Sequence, residues 1–136
     1  MTRFLVADGL AEPPSYSHVA VLPPGAQLVV TSGAVPVGPA GDVTAPGDHA
    51  GQAALAVRNL QVALEAAGSA LESVVKITVY VATTDRDDLL AVWDVVVASP
   101  LSAAPVAATL LGVSLLGYPG QLVEIEALAL AGPPAP

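Results

Sequence analysis

The chain of 136 residues offers few side chains that can do chemistry. Glu124 and Glu126 stand two apart in Val123-Glu124-Ile125-Glu126-Ala127, so on a strand both carboxylates share one face and the apolar residues take the other. A carboxylate on an inner face beside leucines suits general acid/base work, and Glu124 is the expected catalytic residue. For Glu126 the expectation is a structural hydrogen-bond acceptor. Tyr16 and His18 also share a face on a strand and could join Glu124 in a small acid/base group, although a single histidine near an apolar strand is more often structural. Ser32 precedes Gly33 outside any Gly-x-Ser-x-Gly context and without a histidine-acid pair, so its backbone rather than its hydroxyl is expected to matter. His49 with scattered acids makes no metal site, and the chain has no cysteine, so no metal is expected.

These residues need elements to hold them. Residues 20–22 and 27–32 are short apolar runs separated by Pro23, Pro24 and Gly25, which predicts a hairpin. Residues 36–47 are rich in Gly and Pro and read as a loop. Asp48 is a good N-cap, after which Ala50, Ala53, Val57, Leu60, Leu64 and Ala67 recur at spacings of three and four until Gly68. That is a helix with one buried stripe and with Arg58, Gln61 and Glu65 toward solvent. Gln52 and Asn59 lie on a third side, suited to hydrogen bonds with a loop or a neighbouring subunit. Val74–Ala82 reads as a strand with Val75, Ile77, Val79 and Val81 on one face. Thr84 or Asp85 caps a second helix carrying Leu89, Val92, Trp93 and Val96 at helical spacing, ended by Ser99 and Pro100. By its period Trp93 is a core residue; reaching a cleft, it would favour an aromatic or apolar ligand.

Ala107–Val113 and residues 122–130 read as two further strands joined through a turn at 117–120. The order predicts one α+β domain over residues 1–131, with two helices packed on one face of a mixed sheet, and a disordered tail at 132–136. On the last strand Leu122, Glu124, Glu126, Leu128 and Leu130 form a face too apolar to be bare. Two helices cover only one side of a sheet, so another copy of the chain is the expected cover.

Composition agrees. Only 12% of residues are charged, against about 25% for average soluble domains, too few to cover the surface of a monomer. Twelve acids against four bases give a net charge of -8, which argues against nucleic acid and anionic membrane as partners. The charge-free stretches 13–41 and 95–123 are interrupted by proline and glycine and span no bilayer. Arg3, Asp8 and Glu12 break up the N-terminal apolar run before a signal-peptide core can form, so a cytoplasmic location is expected.

Tyr16-Ser17-His18, Val30-Thr31-Ser32-Gly33, Gln52, Asn59, Ala66-Ala67-Gly68, Val74-Val75-Lys76, Pro105 and Val123-Glu124-Ile125-Glu126-Ala127 follow in an order and spacing that carry a resemblance. Over residues 16–130 the chain resembles the YjgF/RidA family, also called the endoribonuclease L-PSP or reactive-intermediate deaminase family. The resemblance implies a chorismate-mutase-like homotrimer with a central barrel and clefts between adjacent subunits. It also implies a cofactor-free site that hydrolyses enamine or imine intermediates released by pyridoxal-phosphate enzymes, giving ketoacid and ammonia. In such a site an arginine grips the substrate carboxylate, a backbone N–H near a Ser-Gly turn helps, and a glutamate positions or activates water.

Carried onto this sequence, the turn is Ser32-Gly33, the aromatic wall is Tyr16 and the glutamate is Glu124, with Thr109 lining the site and Trp93 a further boundary. The family pattern Pro-x-Arg-x-[Thr/Cys] reads here Pro105-Val106-Ala107-Ala108-Thr109, with Ala107 in the place of the guanidinium. A methyl group cannot make a forked Arg-carboxylate pair. Ala34 replaces a usual glutamine and Trp93 a common asparagine. All three changes make the cleft less polar, so the expected substrate is neutral or bulkier than an amino-acid-derived imine. The alternative is a small-metabolite binding protein without turnover. A ribonuclease and a chorismate mutase are both disfavoured by the shortage of cations.

Overall fold

The computed structural model describes residues 1–132 of the chain, so the expected tail lies outside the described residues except for Gly132. The elements run β1 (Arg3–Leu5), β2 (Val19–Val21), β3 (Leu28–Val30), α1 (His49–Ala66), β4 (Val74–Ala82), α2 (Arg86–Val97), β5 (Ala107–Val113) and β6 (Val123–Leu130). Four strands form one mixed sheet in the order β3-β6-β4-β5, in which β4 and β5 are parallel and the other pairs antiparallel. The α+β architecture with two helices and a mixed sheet is as expected.

Asp48 caps α1 by accepting the Gly51 N–H at 2.9 Å, and Gly68, at φ +71°, ends the turn beyond it. Asp85 caps α2 by accepting the Asp87 N–H at 2.9 Å. Between helices and sheet lies one core built from Leu60, Leu64, Ile77, Val79, Val92, Val96 and Ile125. Period-two burial on β6 is complete: Val123, Ile125, Ala127 and Ala129 are buried, and the residues between them are not. The predicted helix stripe holds for Ala53, Val57, Leu60 and Leu64, while Ala67 is exposed at the C-cap.

The hairpin is corrected. β2 pairs with β1, Ala20 opposite Phe4, whereas β3 pairs with β6, Val29 opposite Ala129. Pro23-Pro24-Gly25 does turn the chain, with the Ala26 N–H bonded to the Pro23 carbonyl at 3.2 Å, but the turn carries it from one sheet to the other. A turn signal fixes where a chain bends and leaves open which strands then pair, a choice made by burial across the whole fold.

The outer face of the four-stranded sheet is uncovered in a single chain. Val30 is 71% and Leu28 42% exposed, and Leu128, Lys76, Thr78, Tyr80 and Thr109 share that side by register. Among the described residues, no helix is long and apolar enough to cross a membrane.

Candidate functional site

Glu124 is placed by the chain on both sides of it. After β3 ends, Thr31 donates its N–H to the Ala127 carbonyl at 3.1 Å and accepts the Ala127 N–H on its hydroxyl at 3.0 Å. Ala34 then exchanges two bonds with Ile125, its N–H to the Ile125 carbonyl at 2.7 Å and the reverse at 3.1 Å. These stitches hold Gly33 directly against Glu124. A Cβ at residue 33 would lie 2.6 Å from Glu124 Cγ and press on the carboxylate, so only glycine allows the approach.

Buried Gln121 orients the carboxylate. Its amide donates to Glu124 Oε1 at 3.1 Å and to the Val123 carbonyl at 3.0 Å, while its carbonyl oxygen accepts the Tyr118 N–H at 3.1 Å. Sequence reasoning missed Gln121, because a polar residue in a glycine-rich turn carries no period to betray its burial. Gln52, fully buried, braces the same turn by donating to the Gly120 carbonyl at 3.1 Å and accepting the Leu122 N–H at 2.7 Å. Asn59 donates to the carbonyls of Val35 at 2.7 Å and Val37 at 3.1 Å, fixing the strap after Gly33. Both helix amides therefore bond loops of their own chain. Ser32 and Gly33 open onto a concavity of about 440 Å³ that Asn59 also borders.

A second group forms around β5. The Ser17 N–H donates to the Val106 carbonyl at 3.1 Å, laying the Tyr16 segment alongside Ala107. The Tyr16 ring stands edge-on to Trp93 with centroids 6.4 Å apart, and the indole N–H donates to Ser15 Oγ at 2.8 Å. Trp93 thus packs on the core and at the same time tethers the Tyr16 segment. The His18 ring accepts the Ala7 N–H on Nδ1 at 2.9 Å, which gives it a structural role far from Glu124 in the fold.

Ala107 and Thr109 lie on the outer face of β5. Lys76 stands opposite Ala107 in register, and its amine donates to Thr109 Oγ1 at 2.8 Å. Burial holds this amine below the usual lysine range, with Glu126 pulling in the opposite direction. Glu126 accepts the Tyr80 hydroxyl at 2.6 Å, the structural role expected for it. That bond, with burial and the charges of Glu126 and Glu124 behind it, raises the Tyr80 phenol above its ordinary value.

The predicted residues therefore fall into two groups: Ser32 and Gly33 against Glu124, and the Tyr16–Trp93 pair, whose segment runs alongside Ala107 on the β5 edge that also carries Thr109. One chain does not join them. β3 and β5 are opposite edges of the sheet, three strand spacings or roughly 14 Å apart. Among the described residues no cluster of three or more metal-ligating side chains exists. The nearest to one, His49 with Asp88 at 3.6 Å, ties α1 to the start of α2, where Thr83 also donates to Asp88 at 2.6 Å.

The fold and the order of these segments define a family. The model of the endoribonuclease L-PSP family matches residues 9–131, and the chain belongs to that family. Among solved structures it is similar to YyfB, a Rid-family protein of unknown function from Yersinia pestis, with 27% identity, coverage of 95% of this chain and 98% of that one, and a TM-score of 0.85. The YjgF gene product of E. coli is 31% identical over 93% of this chain and 92% of its own, with a TM-score of 0.66. Rv2704 of Mycobacterium tuberculosis, from the YjgF/YER057c/UK114 family, is 29% identical over 96% of this chain and all of its own, with a TM-score of 0.62. Comparison with curated proteins found no match.

Proposed function

We propose that the protein is a RidA-like, cofactor-free hydrolase that converts imines, enamines or related reactive metabolites to the carbonyl compound and ammonia. Its sites are clefts between the subunits of a cytoplasmic homotrimer, where the Ser32-Gly33-Glu124 group of one copy meets the Tyr16-Ala107-Thr109 group of the next. The observation that carries this reading is the Glu124 carboxylate, pressed over Gly33 and aimed by Gln121, on a sheet face that a single chain leaves open. A carboxylate so oriented takes a proton from water as the water oxygen bonds to the imine carbon and the C=N electron pair moves to nitrogen. The carboxylic acid so formed returns that proton to the nitrogen, giving a carbinolamine; Glu124 then passes the hydroxyl proton to the amino nitrogen as the C=O bond forms and the C–N bond breaks, releasing ammonia, with the backbone N–H of Gly33 holding the developing oxygen. The net charge of -8 speaks for a small molecule rather than RNA.

Ala107 presents only a methyl group, so the part of the substrate that faces it is neutral or bulkier than in an amino-acid-derived imine. The same loss of polarity at Ala34, Trp93 and Ala107 favours a second reading, capture of a small metabolite without turnover. Ammonia release from 2-aminoacrylate-type and neutral imines, followed for wild type and Glu124→Ala, separates the two. Catalysis requires a rate above the uncatalysed reaction that falls at least a hundredfold in the variant. Equal rates refute the enzyme, and thermal stabilisation by ligand without product identifies the binding protein.

A further inference from the structure

We propose that Lys76 supplies the cation of the cleft and holds a carboxylate of a substrate longer than one that an arginine at position 107 would grip; the inference rests on the cleft reading above. The chain has one lysine, and of its four basic residues only Lys76 lies on the four-stranded sheet: Arg3 is on β1, Arg58 on α1 and Arg86 at the start of α2. Lys76 is the register partner of Ala107 on the adjacent parallel strand, about 4.8 Å away. Paired residues of adjacent strands point to the same face, so nothing longer than a methyl at 107 competes with the lysine for that space.

The amine is anchored by a hydroxyl and is in direct contact with no carboxylate among the described residues. Its bond goes to the Thr109 hydroxyl at 2.8 Å, and among the described residues no carboxylate lies within 4.0 Å of it. The nearest candidate, Glu126, is engaged by the Tyr80 hydroxyl. A half-buried ammonium bound only to a hydroxyl keeps two donors for an incoming anion. Its partial desolvation, which already lowers its proton affinity, strengthens attraction to that anion. Because the cation ends beside Thr109, two residues along the strand from Ala107, the anion sits roughly 7 Å farther along the strand than residue 107 itself. This reconciles a neutral group facing Ala107 with a charged one beyond it. A lysine is a point charge without the forked geometry of arginine, so it selects for charge and tolerates variation in shape. Glu126, which borders the same outer-face concavity, opposes the anion and keeps the selectivity modest.

The test pairs 5-oxohexanoate, whose carboxylate is four bonds from its ketone carbon, with the corresponding carboxamide, titrated against wild type, Lys76→Met and Lys76→Arg. Wild type and Lys76→Arg are expected to bind the carboxylate about tenfold tighter than the carboxamide. Lys76→Met is expected to erase the preference by weakening the carboxylate alone. Reductive methylation with ¹³C gives a readout without substitution, because it labels only Lys76 and the N-terminal amine. The Lys76 resonance then moves with the carboxylate and stays with the carboxamide. No preference in wild type, a preference that survives Lys76→Met, or a resonance that responds equally to both ligands overturns the inference, with carboxamide binding still upholding the cleft. Binding of neither ligand also overturns it, and Glu124-dependent ammonia release then decides whether the cleft reading falls too.

Discussion

Replacing Gly33 with alanine probes the contact on which the proposed water positioning depends. An ideal Cβ at residue 33 falls 2.5 Å from Glu124 Cδ and 2.6 Å from Cγ, separations that no packed pair of carbons sustains. The backbone cannot retreat cheaply, because Ala34 and Ile125 exchange bonds of 2.7 and 3.1 Å on the next residue. Glu124 must therefore rotate and surrender the 3.1 Å bond from Gln121. A hydrogen bond to a charged acceptor contributes about 1.5–3 kcal/mol, toward the lower end for a half-exposed carboxylate, and residual overpacking adds to that.

We expect Gly33→Ala to cost about 2 kcal/mol and to lower Tm by roughly 6–8 °C. In a Glu124→Ala background the obstruction is gone. Gly33 is outside the left-handed region, so alanine there restricts the unfolded chain and is neutral or stabilising by up to about 1 kcal/mol. The double-mutant cycle thus reverses sign, with a coupling of about 2–3 kcal/mol. Circular-dichroism melts at one fixed protein concentration measure it, since association also moves Tm. Ammonia release should fall in Gly33→Ala, as is expected of Glu124→Ala. A Gly33→Ala cost that is the same with and without Glu124 would refute the reasoning.

Two further outcomes follow from the supports of the site. Gln52→Leu keeps the volume but strands the Leu122 N–H and the Gly120 carbonyl, which we expect to cost about 2–4 kcal/mol in urea unfolding and to loosen the turn that carries Gln121. The Tyr80 phenol, raised first by its bond to Glu126, binds its proton more tightly in the folded state. Its contribution to stability is therefore whole below the ordinary tyrosine value of 10.0 and is lost as pH climbs through the folded value. Phenolate absorbance should show a late-titrating component that Tyr80→Phe removes and Glu126→Ala moves down toward 10.0; a component unmoved by Glu126→Ala contradicts the assignment.

What was legible in the sequence is what a single burial gradient writes into it. The 3.6-residue period of α1 and the two-residue period of β6 exist because each element hides one side, and both faces could be read before any partner was known. The excess of apolar residues on the second face of β6 was visible for the same reason. The β2–β3 hairpin misled because a Pro-Pro-Gly turn is a local statement and strand pairing is not. Gln121 left no trace, since its burial depends on Gln52, distant in sequence, holding the turn. The opposition of Lys76 and Ala107 was equally hidden: a parallel register is set by how α2 packs its crossover, and no local spacing encodes it.

The separation of the two residue groups bears on why the chain is so poor in charge. A site contained within one chain would need its polar groups on a face that water also reaches, and the rest of that face could be polar at no cost. Here Glu124 and Thr109 lie on strands two apart, and Gly33 and Ala107 lie at opposite edges, so neither group can close on a small ligand alone. In the proposed assembly the same outer face must bury its leucines and valines against a partner and also present Glu124 and Lys76 to a ligand. Each charge kept there is desolvated by assembly, a cost that rises steeply with every added unpaired ion. The polar groups that remain on that face are accordingly few and tied, Glu126 by Tyr80, Glu124 by Gln121 and Lys76 by Thr109. The methyl group of Ala107 fits the same constraint: with Lys76 already on the face, a second fixed cation at position 107 would repel the first and gain nothing unless a dianion were bound.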